Sequence, residues 1–332
     1  MSTQSAILAN FKRIIPPLTE ALHKGQAGRI AVLGGSEDYT GAPYFAGIAS
    51  LKVGADLCHV FCEKNAGQVI KSYSPELMVH PYLRHSGADD KKALADTIDK
   101  IVERVAGILP KLHVLVIGPG LSRDTVMVET TKKIMNEAKE KKMSMVIDAD
   151  GLYVVQQNPD IIKGYPSVVL TPNANEFKRL CEAMGVDVEK TERAEQVKKL
   201  SEALGNVTIV SKGAQDIISN GKDVVVCDNP GSPRRCGGQG DLLSGSIATF
   251  LGWGKNYEKN VWEHSKDSDL DRNFATQLPL TAAWAACRLV RDCSRRAFSK
   301  HGRSMTTTDM IAELGDVFRQ EYEVDQKDAV KG

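Results

Sequence analysis

The chain has 332 residues, 42% hydrophobic and 26% charged, with a formal net charge of +1. This length and balance suit a globular protein with a sizeable core. The near-neutral charge excludes a global field that would steer the chain to nucleic acid or a membrane surface.

Seven cysteines (Cys58, Cys62, Cys181, Cys227, Cys236, Cys287 and Cys293) form no CxxC pair. An odd count without such spacing argues against a disulfide framework and fits a reducing compartment. No run approaches the roughly 18 apolar residues of a membrane span. The N-terminus lacks a secretory apolar core. Lys12 and Arg13 precede the first acidic residue, Glu20. A cytoplasmic location is therefore expected, with mitochondrial import left open. The sequon at Asn206-Val207-Thr208 reads as accidental.

In chain order, residues 1–22 read as an N-terminal helical arm. Apolar, β-branched runs at Arg29–Leu33, Leu57–Cys62, Val114–Ile117, Met143–Ile147, Val168–Leu170 and Val207–Ser211 predict strands. Helical patterns such as Asp124–Lys141 and Glu176–Met184 lie between most of them. That alternation predicts βα units and a mostly parallel sheet covered on both faces. His85–Lys92 reads as a polar bridge. Asn220-Gly221-Lys222 between Asp216–Ser219 and Asp223–Cys227 predicts a hairpin, and so an antiparallel pair at one sheet edge. The chain then turns helical at Asp241–Leu251, Pro279–Phe298 and Thr307–Tyr322. Asn256–Gln277 is charged and turn-rich, and reads as a surface insertion or mobile loop. Residues 323–332 read as a disordered tail. No composition shift marks a boundary, so a single α/β domain over 1–332 is expected.

The most informative segment is Gly231-Ser232-Pro233-Arg234-Arg235-Cys236-Gly237-Gly238-Gln239-Gly240-Asp241-Leu242-Leu243-Ser244-Gly245. Its glycines let the backbone approach an anion closely and open onto a helix start, whose free N–H groups suit phosphate. Arg234 and Arg235 are placed to clamp phosphate oxygens. Asp241 falls at the same helix start, where a carboxylate can take a proton from a hydroxyl. The competing reading is that Asp241 caps the helix and the glycines make a turn. A Walker motif is absent. Arg123 and Leu243 stand where a dinucleotide fingerprint needs its third glycine, which disfavours a classical dehydrogenase.

Polar, small segments also follow the successive strands: Gly118–Asp124, Asp148-Ala149-Asp150-Gly151, Thr171–Glu176 and Lys212-Gly213-Ala214-Gln215-Asp216. Ligands of open α/β sheets bind at such strand ends. Asp148, Asp150 and Glu176 are candidates to order Mg²⁺ around phosphates through waters, with capping as the competing role, above all for Asp150. The loop Gly34–Tyr44 after the first strand has the small residues of a ligand contact. The histidines show no metal-ligand spacing, so no zinc site is expected. His59 and His113 read as core or edge residues.

Together these segments resemble the ATP-dependent NAD(P)H-hydrate dehydratases, a branch of the ribokinase-like superfamily, from about His23 to Thr308. The resemblance implies a ribokinase-like three-layer α/β/α fold with an antiparallel edge hairpin. It implies that Gly120 and the stretch Asn173-Ala174-Asn175-Glu176-Phe177-Lys178-Arg179 contact the hydrated dinucleotide. It implies that Lys212–Asp216 and Gly231–Gly240 hold ATP, and that Asp241 sits at the reacting hydroxyl as the catalytic residue. The implied reaction is ATP-driven dehydration of the S epimer of hydrated NADH or NADPH: the 6-hydroxyl is phosphorylated, phosphate leaves, and the dihydronicotinamide double bond returns. Mg²⁺ would accompany ATP near Glu176, with no dedicated protein ligands. Arg234-Arg235 resembles the ATP-using rather than the ADP-using branch. Ser122 departs from the pattern, which usually has glycine there, and the Asn256–Gln277 insertion matches no motif. A ribokinase-like kinase of a small alcohol and a silent nucleotide sensor are the rival readings. The partners expected are ATP and the hydrate, with no nucleic acid and no membrane, and self-association is left open.

Overall fold

Side chains alternate between the two faces of a strand, and both faces are apolar in nearly every strand of this chain. Such strands need helices on both sides. In a computed structural model, which describes residues 3–87, 91–187, 191–264 and 269–323, they receive them. The strands are β1 (Arg29–Leu33), β2 (Leu57–Glu63), β3 (Leu77–Leu83), β4 (Val114–Ile117), β5 (Ser144–Ile147), β6 (Val168–Leu170), β7 (Thr208–Ser211), β8 (Asp216–Ser219) and β9 (Val224–Cys227). They form one sheet in the order β3-β2-β1-β4-β5-β6-β7-β8-β9. Pairing is parallel from β3 to β7 and antiparallel at β7–β8 and β8–β9.

The helices are α1 (Thr3–Arg13), α2 (Gly41–Val53), α3 (Lys64–Tyr73), α4 (Lys91–Ala106), α5 (Thr125–Glu140), α6 (Asp150–Gln157), α7 (Ala174–Ala183), α8 (Arg193–Ala203), α9 (Gln239–Glu258), α10 (Asp269–Arg272), α11 (Phe274–His301) and α12 (Thr307–Glu321). Ile30, Val32, Val114, Val116 and Val146 point into one core with residues of α1, α2, α9, α11 and α12. Ala31, Leu33, Leu115, Ile117, Met145 and Ile147 point into a second core with α4 to α8. The result is three layers. Helix α9 is buried along most of its length, as expected of a helix that is apolar or small all round. It packs against α2 so closely that a Cβ on Gly245 would lie 2.1 Å from the Ala46 carbonyl oxygen.

The hairpin forms as the Asn-Gly signal predicts. Asn220 Oδ1 accepts from the backbone of Lys222 and Asp223, and Gly221 takes φ +82°. Three expectations need correction. β3 went unpredicted because Pro81 interrupts its apolar pattern; it lies at the sheet edge, where a missing N–H is tolerated. Helix α11 begins before Pro279, which sits inside it at the sixth residue. Part of the Asn256–Gln277 stretch is core rather than loop: Tyr257 and Trp262 are buried, and Asn256 donates to the Gln26 carbonyl at 2.6 Å. Residues 265–268, the tail beyond residue 323, and 88–90 of the polar bridge lie outside the described residues. Among the described residues no helix is long and apolar enough to cross a membrane.

Candidate active site

Register brings the strand ends level. Ile117 pairs with Ile147, Ile147 with Leu170, and Leu170 with Ile209. The polar segments after β4, β5, β6 and β7 therefore emerge side by side. They touch: a Cβ on Gly118 would lie 1.9 Å from the Asp148 carbonyl oxygen, and one on Gly34 would lie 2.1 Å from that of Pro119. Ala149 between the two aspartates takes φ +48° and ψ −122°. A non-glycine residue there is strained and persists only where its surroundings over-determine it.

The glycine-rich segment meets these ends from above. Gly238 takes φ +98° as the N-cap of α9, and a Cβ there would meet Phe45 at 2.7 Å and Thr307 at 2.9 Å. Helix α9 starts at Gln239, two residues earlier than the pattern suggested, so Asp241 is its third residue rather than its first. Asp241 is 9% exposed. Burial pushes its carboxyl well above the ordinary range; the charge of Asp148 adds to this and Lys212 opposes it. Lys212 Nζ donates to Asp148 Oδ1 at 2.9 Å. Burial disfavours the Lys212 ammonium, but Asp148, Glu176 and Asp241 outweigh it and hold it charged.

A cleft of about 820 Å³ opens beside this cluster. Of the residues expected at ATP, Lys212, Gly213, Ala214, Asp216, Gly231, Ser232, Arg235, Cys236, Gln239 and Gly240 line it; Gln215, Pro233, Arg234, Gly237 and Gly238 do not. Arg234 is turned away, its Nε donating to the Met305 carbonyl at 3.4 Å, so the expected two-arginine clamp is not formed by that pair. The second guanidinium in the cleft belongs to Arg291 of α11, which the sequence reading missed. Arg291 Nε bonds Asp216 Oδ2 at 2.6 Å, Nη1 donates to the carbonyls of Ala214 at 2.8 Å and Asn229 at 3.1 Å, and Nη2 to that of Gly213 at 2.9 Å. Asp216 also accepts from Gly213 N at 3.0 Å. Its carboxylate thus shapes the loop. Cys287, Val290, Ser294 and Met310, also missed, line the wall with Leu243.

The residues expected at the dinucleotide lie at the start of α7 and in the loop after β4. Asn173 caps α7, and Glu176 returns the bond in a capping box, accepting from Asn173 N at 2.8 Å. Burial pushes Glu176 above its ordinary value, against that backbone bond and Lys212. Asn173 reaches the cleft wall. Ala174, Asn175, Lys178 and Arg179 are exposed. Phe177 is 1% exposed and packs into the second core beneath Arg193, so its side chain points away from any ligand and only its backbone remains for a contact. Gly120 takes φ +62° and lies under the backbone of Tyr39, a residue of the Gly34–Tyr44 loop. Asp150 is not a free carboxylate: it accepts from Ser122 N at 3.0 Å and Arg123 Nε at 3.1 Å.

A model of the NAD(P)H-hydrate dehydratase family matches residues 30–315. The ATP-dependent (S)-NAD(P)H-hydrate dehydratase of Rattus norvegicus is 49% identical over 308 residues, covering 92% of this chain and 83% of the rat protein. Among solved structures, a ribokinase-like superfamily protein from Enterococcus faecalis superposes with a TM-score of 0.72 at 20% identity, covering 96% and 95% of the two chains. The ADP/ATP-dependent NAD(P)H-hydrate dehydratase of Bacillus subtilis, co-crystallised with ATP and Mg²⁺, gives a TM-score of 0.68 at 22% identity, covering 95% and 97%. At such identities the two structures show the ribokinase-like fold.

Proposed function

The chain belongs to the NAD(P)H-hydrate dehydratase family, and from that membership we propose that its cleft holds ATP for the dehydration of the S epimer of hydrated NADH and NADPH. The phosphates lie against Lys212, Arg235 and the start of α9; the hydrate lies toward Gly120 and the start of α7. Asp241 takes the proton of the 6-hydroxyl as its oxygen attacks the γ-phosphorus and ADP leaves. Phosphate then departs with the electrons of the C–O bond, and loss of a proton from the neighbouring carbon restores the double bond. The products are NADH or NADPH, ADP and phosphate. Phosphorylation turns a poor leaving group into a good one, so the protein's task is positioning and charge stabilisation.

The observation that carries this reading is the convergence of Asp148 and Asp241 on Lys212, which lines the cleft, on a chain of this family. The start of α9 adds unpaired N–H groups and a positive dipole end suited to phosphate. Mg²⁺ is placed on the phosphates of ATP, where it would neutralise their charge. Among the described residues no group of three or more His, Cys, Asp or Glu could cage an ion, and Asp148 and Asp150 are engaged by Lys212 and Arg123. The cytoplasm is the proposed location, consistent with seven unpaired cysteines.

The test mixes purified protein, ATP and Mg²⁺ with hydrated NADH and, separately, hydrated NADPH. Return of the 340 nm absorbance with release of free phosphate is the expected result. A stable phosphate ester without that absorbance would assign the cleft to a small-alcohol kinase instead.

A further inference from the structure

The Asp148 carboxylate is the most deeply buried acidic group near the cleft, 2% exposed, and it takes no step in the proposed reaction. A buried charge persists only with a partner. Its side-chain partner among the described residues is Lys212 Nζ, 64 positions away in the chain. Its backbone is fixed on both sides: Asp148 N donates to the Ile117 carbonyl at 3.0 Å, and the Asp148 carbonyl accepts from Gly151 N at 2.9 Å. The strained Ala149 and the obligatory glycine at 118 belong to the same construction.

The pair is also wedged against the glycine-rich segment. A Cβ on Gly240 would lie 3.3 Å from Asp148 Oδ2 and 3.3 Å from Lys212 Nζ. Glycine at 240 therefore leaves room for an ion pair directly beside Asp241. Lys212 lines the cleft, and an ammonium has three donors, so the bond to Asp148 leaves two for other oxygens.

We infer that Asp148 is a positioning residue: it holds the Lys212 ammonium at a fixed point between the cleft and Asp241. Without Asp148, Lys212 is free to pair with Asp241 and to blunt the base that the reaction needs. With Asp148 in place, one ammonium serves the phosphoryl oxygens while Asp241 keeps its capacity to accept a proton. This role rests on the proposed dehydration and acts only through Lys212.

The experiment is a double-mutant cycle in the absorbance assay, using Asp148→Asn, Lys212→Met and the double variant of the full chain, with kcat and both KM values measured and each protein melted. Asp148→Asn is expected to lower kcat by about a hundredfold, the order seen when a catalytic group is misplaced by about 1 Å, with the KM for the hydrate unchanged. In the Lys212→Met background the same change is expected to cost less than about threefold, because the two residues act as a unit. A loss of equal size in both backgrounds, or a normally melting Asp148→Asn protein with the parent's kcat, overturns the inference. Should Asp148→Asn alone fail to fold, the double variant, which leaves neither charge unpaired, decides by the same comparison with Lys212→Met. Parent protein inactive on both hydrates would instead overturn the proposed function.

Discussion

The two sides of Asp241 are built differently. On the side assigned to ATP, loops from distant parts of the chain are tied together by side chains of α11 and α12. Arg291 joins Gly213, Ala214, Asp216 and Asn229; Ser232 and Ser294 share a bond of 2.7 Å; Thr307 Oγ1 donates to the Gly237 carbonyl at 2.5 Å. On the side assigned to the hydrate, the start of α7 satisfies itself with its own capping box, and Lys178 makes only a loose, exposed pair with Glu182 at 3.9 Å. One wall is pre-assembled by long-range bonds; on the other, the start of α7 is a local structure open to solvent, and only the Gly120 loop is tied at long range, by Ser36 Oγ donating to the Gly120 carbonyl at 3.0 Å and by Asp150. On the proposed assignment, the difference sets a fixed frame for the phosphates against exposed side chains of α7 left to order around the dinucleotide.

The largest test strikes the residue both sides share. Asp241→Asn keeps size and removes the proton acceptor, so kcat should fall by about a hundredfold to ten-thousandfold while both KM values hold. Stability should move the other way. The folded carboxyl binds its proton more tightly than the unfolded one, whose ordinary value is 3.8. Its folding contribution is therefore full below that value and declines as pH rises toward the folded pKa. Asp241→Asn removes this penalty. Its melting temperature should exceed the parent's at neutral pH, and the gap should narrow as the pH is lowered toward 4. A variant that melts lower at neutral pH would show Asp241 to be a structural support.

Next comes the frame. Arg291 and Asp216 are 13% and 10% exposed at their side chains, and removing one partner of a buried pair costs about 3–5 kcal/mol. Arg291→Ala should lose stability on that order and raise the KM for ATP at least tenfold, with the KM for the hydrate near the parent's. Arg291→Lys should recover little, since a point charge cannot reach the carboxylate and three carbonyls together. Equal rises in both KM values would erase the contrast between the two walls.

The same contrast explains what was legible in the sequence. Strands β1, β4, β6 and β8 have the predicted bounds because apolar runs and their flanking turns are local signals. The loops at the strand ends are local too, so their glycines and aspartates stood out. Arg291 did not. It sits among Arg288, Arg295 and Arg296 on a helix, a pattern that reads as a solvated basic face. Only the fold brings it to the Asp216 loop, 75 positions away. The pairing of Asp148 with Lys212 was hidden for the same reason, and Phe177 was placed at the ligand because a motif names residues without saying which way they face.

The smallest effects are expected in the loop after β4, where two positions three and five residues past Ile117 both have positive φ. Gly120 takes +62° and Ser122 takes +71°. At Gly120 a Cβ would also lie 2.6 Å from the Tyr39 carbonyl oxygen, which belongs to backbone and cannot swing aside. Gly120→Ala should therefore cost about 2 kcal/mol or more and disturb the hydrate wall. Ser122 carries a side chain in a conformation that disfavours one, at a cost of about 1–3 kcal/mol. Its hydroxyl repays little, accepting from Asp124 N at a long 3.3 Å. Glycine would remove the strain but add freedom to the unfolded chain, about 0.4–1 kcal/mol in the opposite direction. The strain is the larger effect, so Ser122→Gly should stabilise the protein by about 0.5–1 kcal/mol and raise its melting temperature by about 1–3 °C. The loop is held from outside by Asp150, which bonds the backbone N of residue 122 whatever its side chain, so both KM values should stay at the parent's. A lower melting temperature would mean that the Ser122 hydroxyl holds the loop more firmly than its geometry indicates.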